Sequence, residues 1–216
     1  MWDELSVPWR ACLELVWEAY CAGTTPIGAV VTGPDGLILS CGRNRILDDE
    51  APPTQVFGNT LAHAELNALL SLDADQETRH HCILYTTMEP CPLCMGAFYM
   101  SAVRTVHFIA RDPWAGSVNL LGATPYLSHK PIQVVRYPDD RLECMEIAIH
   151  TDFELSDHGE EILKTEYGQK YVSMHPRAVQ LGLSLFHSRE LRRMNHAGAV
   201  ASEVFDRLAY LVDQTD

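Results

Sequence analysis

The stretch from Cys82 to Ile109 reads CILYTTMEPCPLCMGAFYMSAVRTVHFI. Its opening, Cys82-Ile83-Leu84-Tyr85-Thr86-Thr87, is apolar, aromatic and β-branched, which suits a buried strand. Pro92 opens a helix to about Ser101, because a first-turn proline forfeits no hydrogen bond. Val103 to Ile109 reads as strand again. Strand, helix and strand in such a short span make a crossover unit with parallel strands, so a sheet with helices packed on it is expected.

Toward the N-terminus, Ser6 and Pro8 start a helix in which Trp9, Cys12, Leu13, Val16, Trp17 and Tyr20 recur at helical spacing, and Gly23 ends it. Such a stripe is core packing. Pro26–Val31 and Leu37–Cys41 flank the turn Gly33-Pro34-Asp35-Gly36 and read as a β-hairpin. Residues 42–60 have no periodicity, and Pro52-Pro53 forbids a regular helix there; a long loop of this kind often borders a site. A helix follows, with Leu61, Leu66, Leu69, Leu70 and Leu72 as its apolar positions.

Beyond Tyr126, Ile132–Arg136 and Cys144–Ile149 read as two further strands. Pro176–Phe186 and Ala197–Val212 read as helices, the last with Val200, Val204, Phe205, Leu208, Leu211 and Val212 on one face. Two units are expected: residues 1–125 as a core, and 126–216 as an extension packed on it rather than a separate domain. The basic cluster Arg189, Arg192 and Arg193 reads as a solvated face or an oligomer contact.

The 216 residues are 47% apolar and 21% charged, which excludes a disordered chain. No apolar run reaches the ~20 residues of a membrane helix, and Met1-Trp2-Asp3-Glu4 lacks the basic start of a secretory signal. Seven cysteines without an export signal argue against a disulfide framework and for metal ligation or buried thiols. A cytoplasmic protein is expected. With 16 Lys and Arg against 29 Asp and Glu, the net charge is −13, opposite to what a phosphate backbone selects.

The chemistry concentrates in His63-Ala64-Glu65 and Pro90-Cys91-Pro92-Leu93-Cys94. Cys91 and Cys94 share one face at the mouth of a helix, where the unpaired N–H groups favour thiolates, the form that binds zinc. The imidazole of His63 completes a three-ligand set. Three protein ligands leave a tetrahedral position for water, as in catalytic rather than structural zinc sites. Glu65, two residues from His63, need not be a ligand and can act on that water as general base and then general acid. A structural zinc staple would require a fourth ligand from Cys41, His80, His81 or Cys82, none of which has a reason to converge on the site.

These two motifs, in this order, match the H-x-E…P-C-x-x-C signature of the zinc-dependent cytidine deaminase superfamily. The string Leu84-Tyr85-Thr86-Thr87-Met88-Glu89-Pro90-Cys91, together with Ala110-Arg111-Asp112, resembles the branch holding guanine deaminases and tRNA adenosine deaminases. The hairpin Pro26–Val31 and Asn44 resemble it too, so the likeness covers about residues 3–125. It implies an α/β, three-layer α-β-α sandwich with a mixed five-stranded sheet, here with extra C-terminal helices. It also implies bound Zn2+, a heterocyclic amine as substrate, and a homodimer or larger homo-oligomer.

By the same resemblance, Asn44 hydrogen-bonds substrate, although an asparagine there also serves a local turn. Ala64 offers its backbone N–H to a substrate carbonyl or ring nitrogen. Glu89 either touches the departing amino group or braces its loop, and Trp114 either stacks on a base or packs. Three functions follow: deamination of a free nucleobase, nucleoside or related heterocycle, purine-like by branch; deamination of adenosine in tRNA; or a zinc-stabilised partner subunit without catalysis. Intact Glu65 argues against the last. Residues 1–125 carry 6 Lys and Arg against 14 Asp and Glu, a balance of −8, which favours the small substrate. Neither nucleic acid nor membrane is an expected partner.

Overall fold

The computed structural model describes residues 1–214. The N-terminal stripe forms α1 (Val7–Cys21), and the hairpin forms β1 (Gly28–Thr32) and β2 (Ile38–Arg43). An irregular segment leads into α2 (Ala64–Leu70) and the short α3 (Gln76–His80). The crossover unit is β3 (Ile83–Met88), α4 (Pro92–Met100) and β4 (Thr105–Ala110), followed by β5 (Gln133–Arg136). The remainder is helical: α5 (Asp140–His158), α6 (Glu166–Met174), α7 (Pro176–Ser188), α8 (Glu190–His196) and α9 (Ala201–Gln214).

The strands make one mixed sheet in the order β2-β1-β3-β4-β5. β1 runs antiparallel to both β2 and β3, while β3, β4 and β5 are parallel. Successive strand residues point to opposite faces, so each face buries its own set. Ala29, Val31, Leu84 and Val106 pack with α2 and α4 residues such as Ala68, Met95 and Phe98. Val30 and Ile109 pack on the other face with Trp9, Leu13 and Val16 of α1 and Met145 and Ile149 of α5. The α/β sheet with helices on both faces is as expected.

That second core also takes Leu181 and Leu185 from α7 and Val204, Phe205 and Leu208 from α9. Trp17 Nε1 donates to the Ala199 carbonyl at 2.8 Å, and Trp2 stacks on Phe205. The first helix and the C-terminal helices therefore share apolar surface.

Cys144–Ile149 is not a strand; it lies within α5. Every residue from Leu142 to Asp152 is buried, because α5 sits between the sheet and α7. A helix buried all round shows no 3.6-residue stripe, so its apolar run mimics a strand. Its start is set by Asp139, whose Oδ1 accepts the N–H groups of Arg141 and Leu142 at 3.0 and 3.1 Å. The helix expected over Ala197–Val212 begins at Ala201 instead, since Gly198 at φ 73° breaks the chain after α8. Leu61 is 55% exposed and precedes α2 rather than packing from it.

Candidate metal centre

Two helix starts converge on one point. His63 is the residue immediately before α2, with extended backbone (φ −76°, ψ 153°). Cys91 holds the same place before α4 (φ −71°, ψ 175°), and Cys94 lies in that helix's first turn. Gly42 on β2 lets α2 come this close: a Cβ there would stand 2.5 Å from the Ala64 carbonyl oxygen and 2.4 Å from the Ala68 nitrogen. α2 is thus seated directly on the sheet, with His63 and Glu65 at its near end.

His63 Nδ1 is 3.5 Å from both Cys91 Sγ and Cys94 Sγ. The three ligand atoms lie within 4.8 Å of one another. Tetrahedral bonds of about 2.0–2.1 Å to nitrogen and about 2.3 Å to sulfur put N and S about 3.5 Å apart, so the donor set fits zinc in type and in spacing. Among the described residues, neither Cys41, His80, His81 nor Cys82 joins this group. Cys82 Sγ instead faces the Thr78 carbonyl, and His80 Nε2 meets Arg104.

The electrostatics agree with the geometry. Hydrogen bonding from Cys94, then from His63, draws the Cys91 thiol down to about 4 despite its burial. Cys94 is pushed up, by its bond to Cys91 and by burial. His63 is raised by its bond to Cys91, against the effect of its burial. Glu65 is 4% exposed, and burial pushes its carboxyl up.

Asn44 is buried beside this cluster of loops. Its Oδ1 accepts Thr24 Oγ1 at 2.9 Å and the Ile46 N–H at 3.0 Å, the second bond closing an Asx turn. An N–H donor fixes that atom as oxygen, so the side-chain nitrogen is the atom turned to donate elsewhere. Ala64 is fully buried as the first residue of α2, where backbone N–H groups lack intrahelical acceptors. Glu89 braces a loop: Oε2 accepts the Asp112 N–H at 3.3 Å and Oε1 the Val118 N–H at 3.5 Å. Trp114 is 52% exposed and meets Tyr167 edge-on at 6.0 Å. Arg189, Arg192 and Arg193 are exposed.

Two supports of the site escape a reading of motifs. Asn67 is wholly buried; it accepts the Val56 N–H and donates to the carbonyls of Arg43 and Val56, tying the irregular segment to α2. Asp48 lies 2.7 Å from both Arg43 and Arg45, the residues flanking Asn44, and Arg43 also meets Glu18 at 2.8 Å. The signal for the second was the alternation of Arg43, Arg45 and Asp48 around Asn44; for Asn67 there was none beyond a polar residue in an apolar helix.

Among known proteins, residues 4–110 match the family described as cytidine and deoxycytidylate deaminase zinc-binding region. The tRNA-specific adenosine deaminase of Aquifex aeolicus is 32% identical over 127 residues, covering 56% of this chain and 78% of that protein. A tRNA(Ile)-lysidine synthase of Deinococcus deserti is 36% identical over 118 residues, 54% of this chain but 21% of the synthase, so the chain spans about a fifth of that relative. The solved guanine deaminase of Nitrosomonas europaea superposes with a TM-score of 0.52 at 25% identity, over 69% of this chain and 85% of that one. With its mixed five-stranded sheet and its paired helix starts, the chain belongs to the cytidine and deoxycytidylate deaminase family.

Proposed function

We propose that this chain is a zinc-dependent aminohydrolase that releases ammonia from a small free heterocycle, a purine-like base, nucleoside or related amine. The observation that carries the reading is the buried Glu65 carboxyl beside a His63–Cys91–Cys94 set of zinc-compatible spacing. Zinc, when bound, supplies the Lewis acidity that makes water nucleophilic near neutral pH. Glu65 takes the proton of the attacking water as its oxygen bonds to the ring carbon bearing the amino group. The same carboxyl delivers that proton to the ring nitrogen, then takes the proton of the newly added hydroxyl and passes it to the amino nitrogen, which leaves as ammonia as the ring carbon becomes a carbonyl. The Asn44 amide nitrogen and the Ala64 N–H read the edge of the ring.

The −8 balance over residues 1–125 supports a small substrate, because each phosphate of a polynucleotide would meet repulsion there. A second reading, deamination of adenosine in tRNA, draws on the Aquifex aeolicus relative and on the exposed Arg189, Arg192 and Arg193. One experiment separates them. Ammonia release is measured over guanine, adenine, cytosine, their nucleosides and pterin- or triazine-like amines, beside inosine formation in tRNA. Release from a free base or nucleoside is expected; inosine in tRNA with no such release would install the second reading.

A further inference from the structure

The end of β4 is gripped by the C-terminal helices. Glu143 of α5 is 4% exposed and accepts the backbone N–H of Arg111 at 3.0 Å. Its two oxygens also take the Arg111 guanidinium, each at 2.9 Å. His175, between α6 and α7, donates Nε2–H to the Arg111 carbonyl at 3.0 Å. Tyr171 of α6, 5% exposed, donates its hydroxyl to Asp112 Oδ1 at 3.0 Å. Three buried residues of the extension thus hold two consecutive residues of the core.

Those two residues begin the loop that closes on the metal-ligand segment. Asp112 Oδ1 also accepts the N–H groups of Trp114 and Ala115 at 2.9 and 3.0 Å, and the Asp112 carbonyl accepts that of Gly116. From there the loop binds back: the Ser117 N–H donates to the Pro90 carbonyl at 3.0 Å, while Glu89 takes the Asp112 and Val118 N–H groups. Gly116 is required for this approach, since a Cβ there would sit 2.6 Å from Glu89 Cδ. Cys91 directly follows Pro90 in the chain.

We infer that Tyr171 is a positioning residue: through Asp112 it fixes loop 112–118 against Glu89 and Pro90, so the extension sets one wall of the reaction site. The inference rests on the reading under Proposed function. The loop takes no part in proton transfer, so loosening it weakens substrate binding more than the chemical step. One hydrogen bond to a charged acceptor corresponds to about tenfold or more.

The test compares Tyr171→Phe with Tyr167→Phe in the zinc-loaded full chain. Tyr167 touches the loop only through its ring, edge-on to Trp114, while its Oη bonds His150 Nε2 at 2.9 Å, so loss of that hydroxyl with the ring retained is the control. Expected for Tyr171→Phe are amide exchange at Trp114 and Ala115 faster by about tenfold, KM raised by about tenfold, kcat within about threefold, and unchanged zinc content. Tyr167→Phe leaves loop exchange and KM as in wild type. Unchanged loop exchange in Tyr171→Phe, an equal rise in exchange throughout α7 and α9, or faster loop exchange with both kinetic constants unchanged would each overturn the inference. A wild type that deaminates nothing in the panel refutes the functional reading instead, and the exchange comparison still decides whether Tyr171 holds the loop.

Discussion

His63 Nδ1 and Cys91 Sγ lie 3.5 Å apart although 28 residues separate them in the chain. Nothing local brings them together: the contact exists because α2 and α4 both start at the same point, one seated on the sheet through Gly42 and the other delivered by β3. A ligand pair fixed by two separate elements is preorganised, so little ordering remains to be done when an ion binds.

Removing one sulfur should therefore abolish tight binding rather than weaken it slightly. Cys94→Ala is expected to contain well below one zinc per chain by elemental analysis, with wild type near one. Wild-type zinc content in that variant would exclude Cys94 as a ligand.

The ion network beside Asn44 yields a stability prediction. Asp48→Ala leaves the nearly buried guanidiniums of Arg43 and Arg45, 7% and 11% exposed, without their shared carboxylate. Breaking a buried pair in this way costs about 3–5 kcal/mol. Glu18 still meets Arg43, so the lower end is expected, read as a lower urea midpoint at unchanged m. A midpoint equal to wild type would show that the network is solvated.

Glu146 gives a pH dependence. It is fully buried on α5, both side-chain oxygens lack a hydrogen-bond partner, and Thr87 only partly offsets the burial. Burial raises its carboxyl from 4.5 to about 8. The folded state therefore retains a proton that the unfolded chain has released, and stability from this group is present below pH 4.5 and is lost as pH rises toward 8. Glu146→Gln removes that term, so its unfolding free energy should fall less between pH 6 and 9 than that of wild type, by on the order of a few kcal/mol, read as a smaller drop in melting temperature. Parallel pH profiles for the two proteins would contradict the burial of an uncharged acid.

The ligands and the acid were legible because their chemistry demands particular residue types at short spacing: His63 and Glu65 two apart, Cys91 and Cys94 three apart, each pair at a helix start. The strands of the crossover unit were legible for a similar reason, since Leu84, Thr86 and Val106 have no role but to fill a pleated face. α5 was not, because burial on every side erases periodicity and leaves Cys144–Ile149 looking like a strand. The contacts of Glu143, Tyr171 and His175 with Arg111 and Asp112 join residues 32 to 64 positions apart through side chains that any surface helix carries. No local pattern encodes them; only the docking of the extension makes them meaningful.

The most direct measurement is ammonia release by zinc-loaded wild type and Glu65→Gln on whichever panel substrate wild type turns over fastest, with zinc determined in both. A positioned acid/base contributes about 10²–10⁴-fold, so the variant should retain one zinc and lose at least about a hundredfold in kcat. More than about a tenth of the wild-type rate in Glu65→Gln, on that same scale, would contradict the role assigned to this carboxyl and with it the deaminase chemistry proposed for the site.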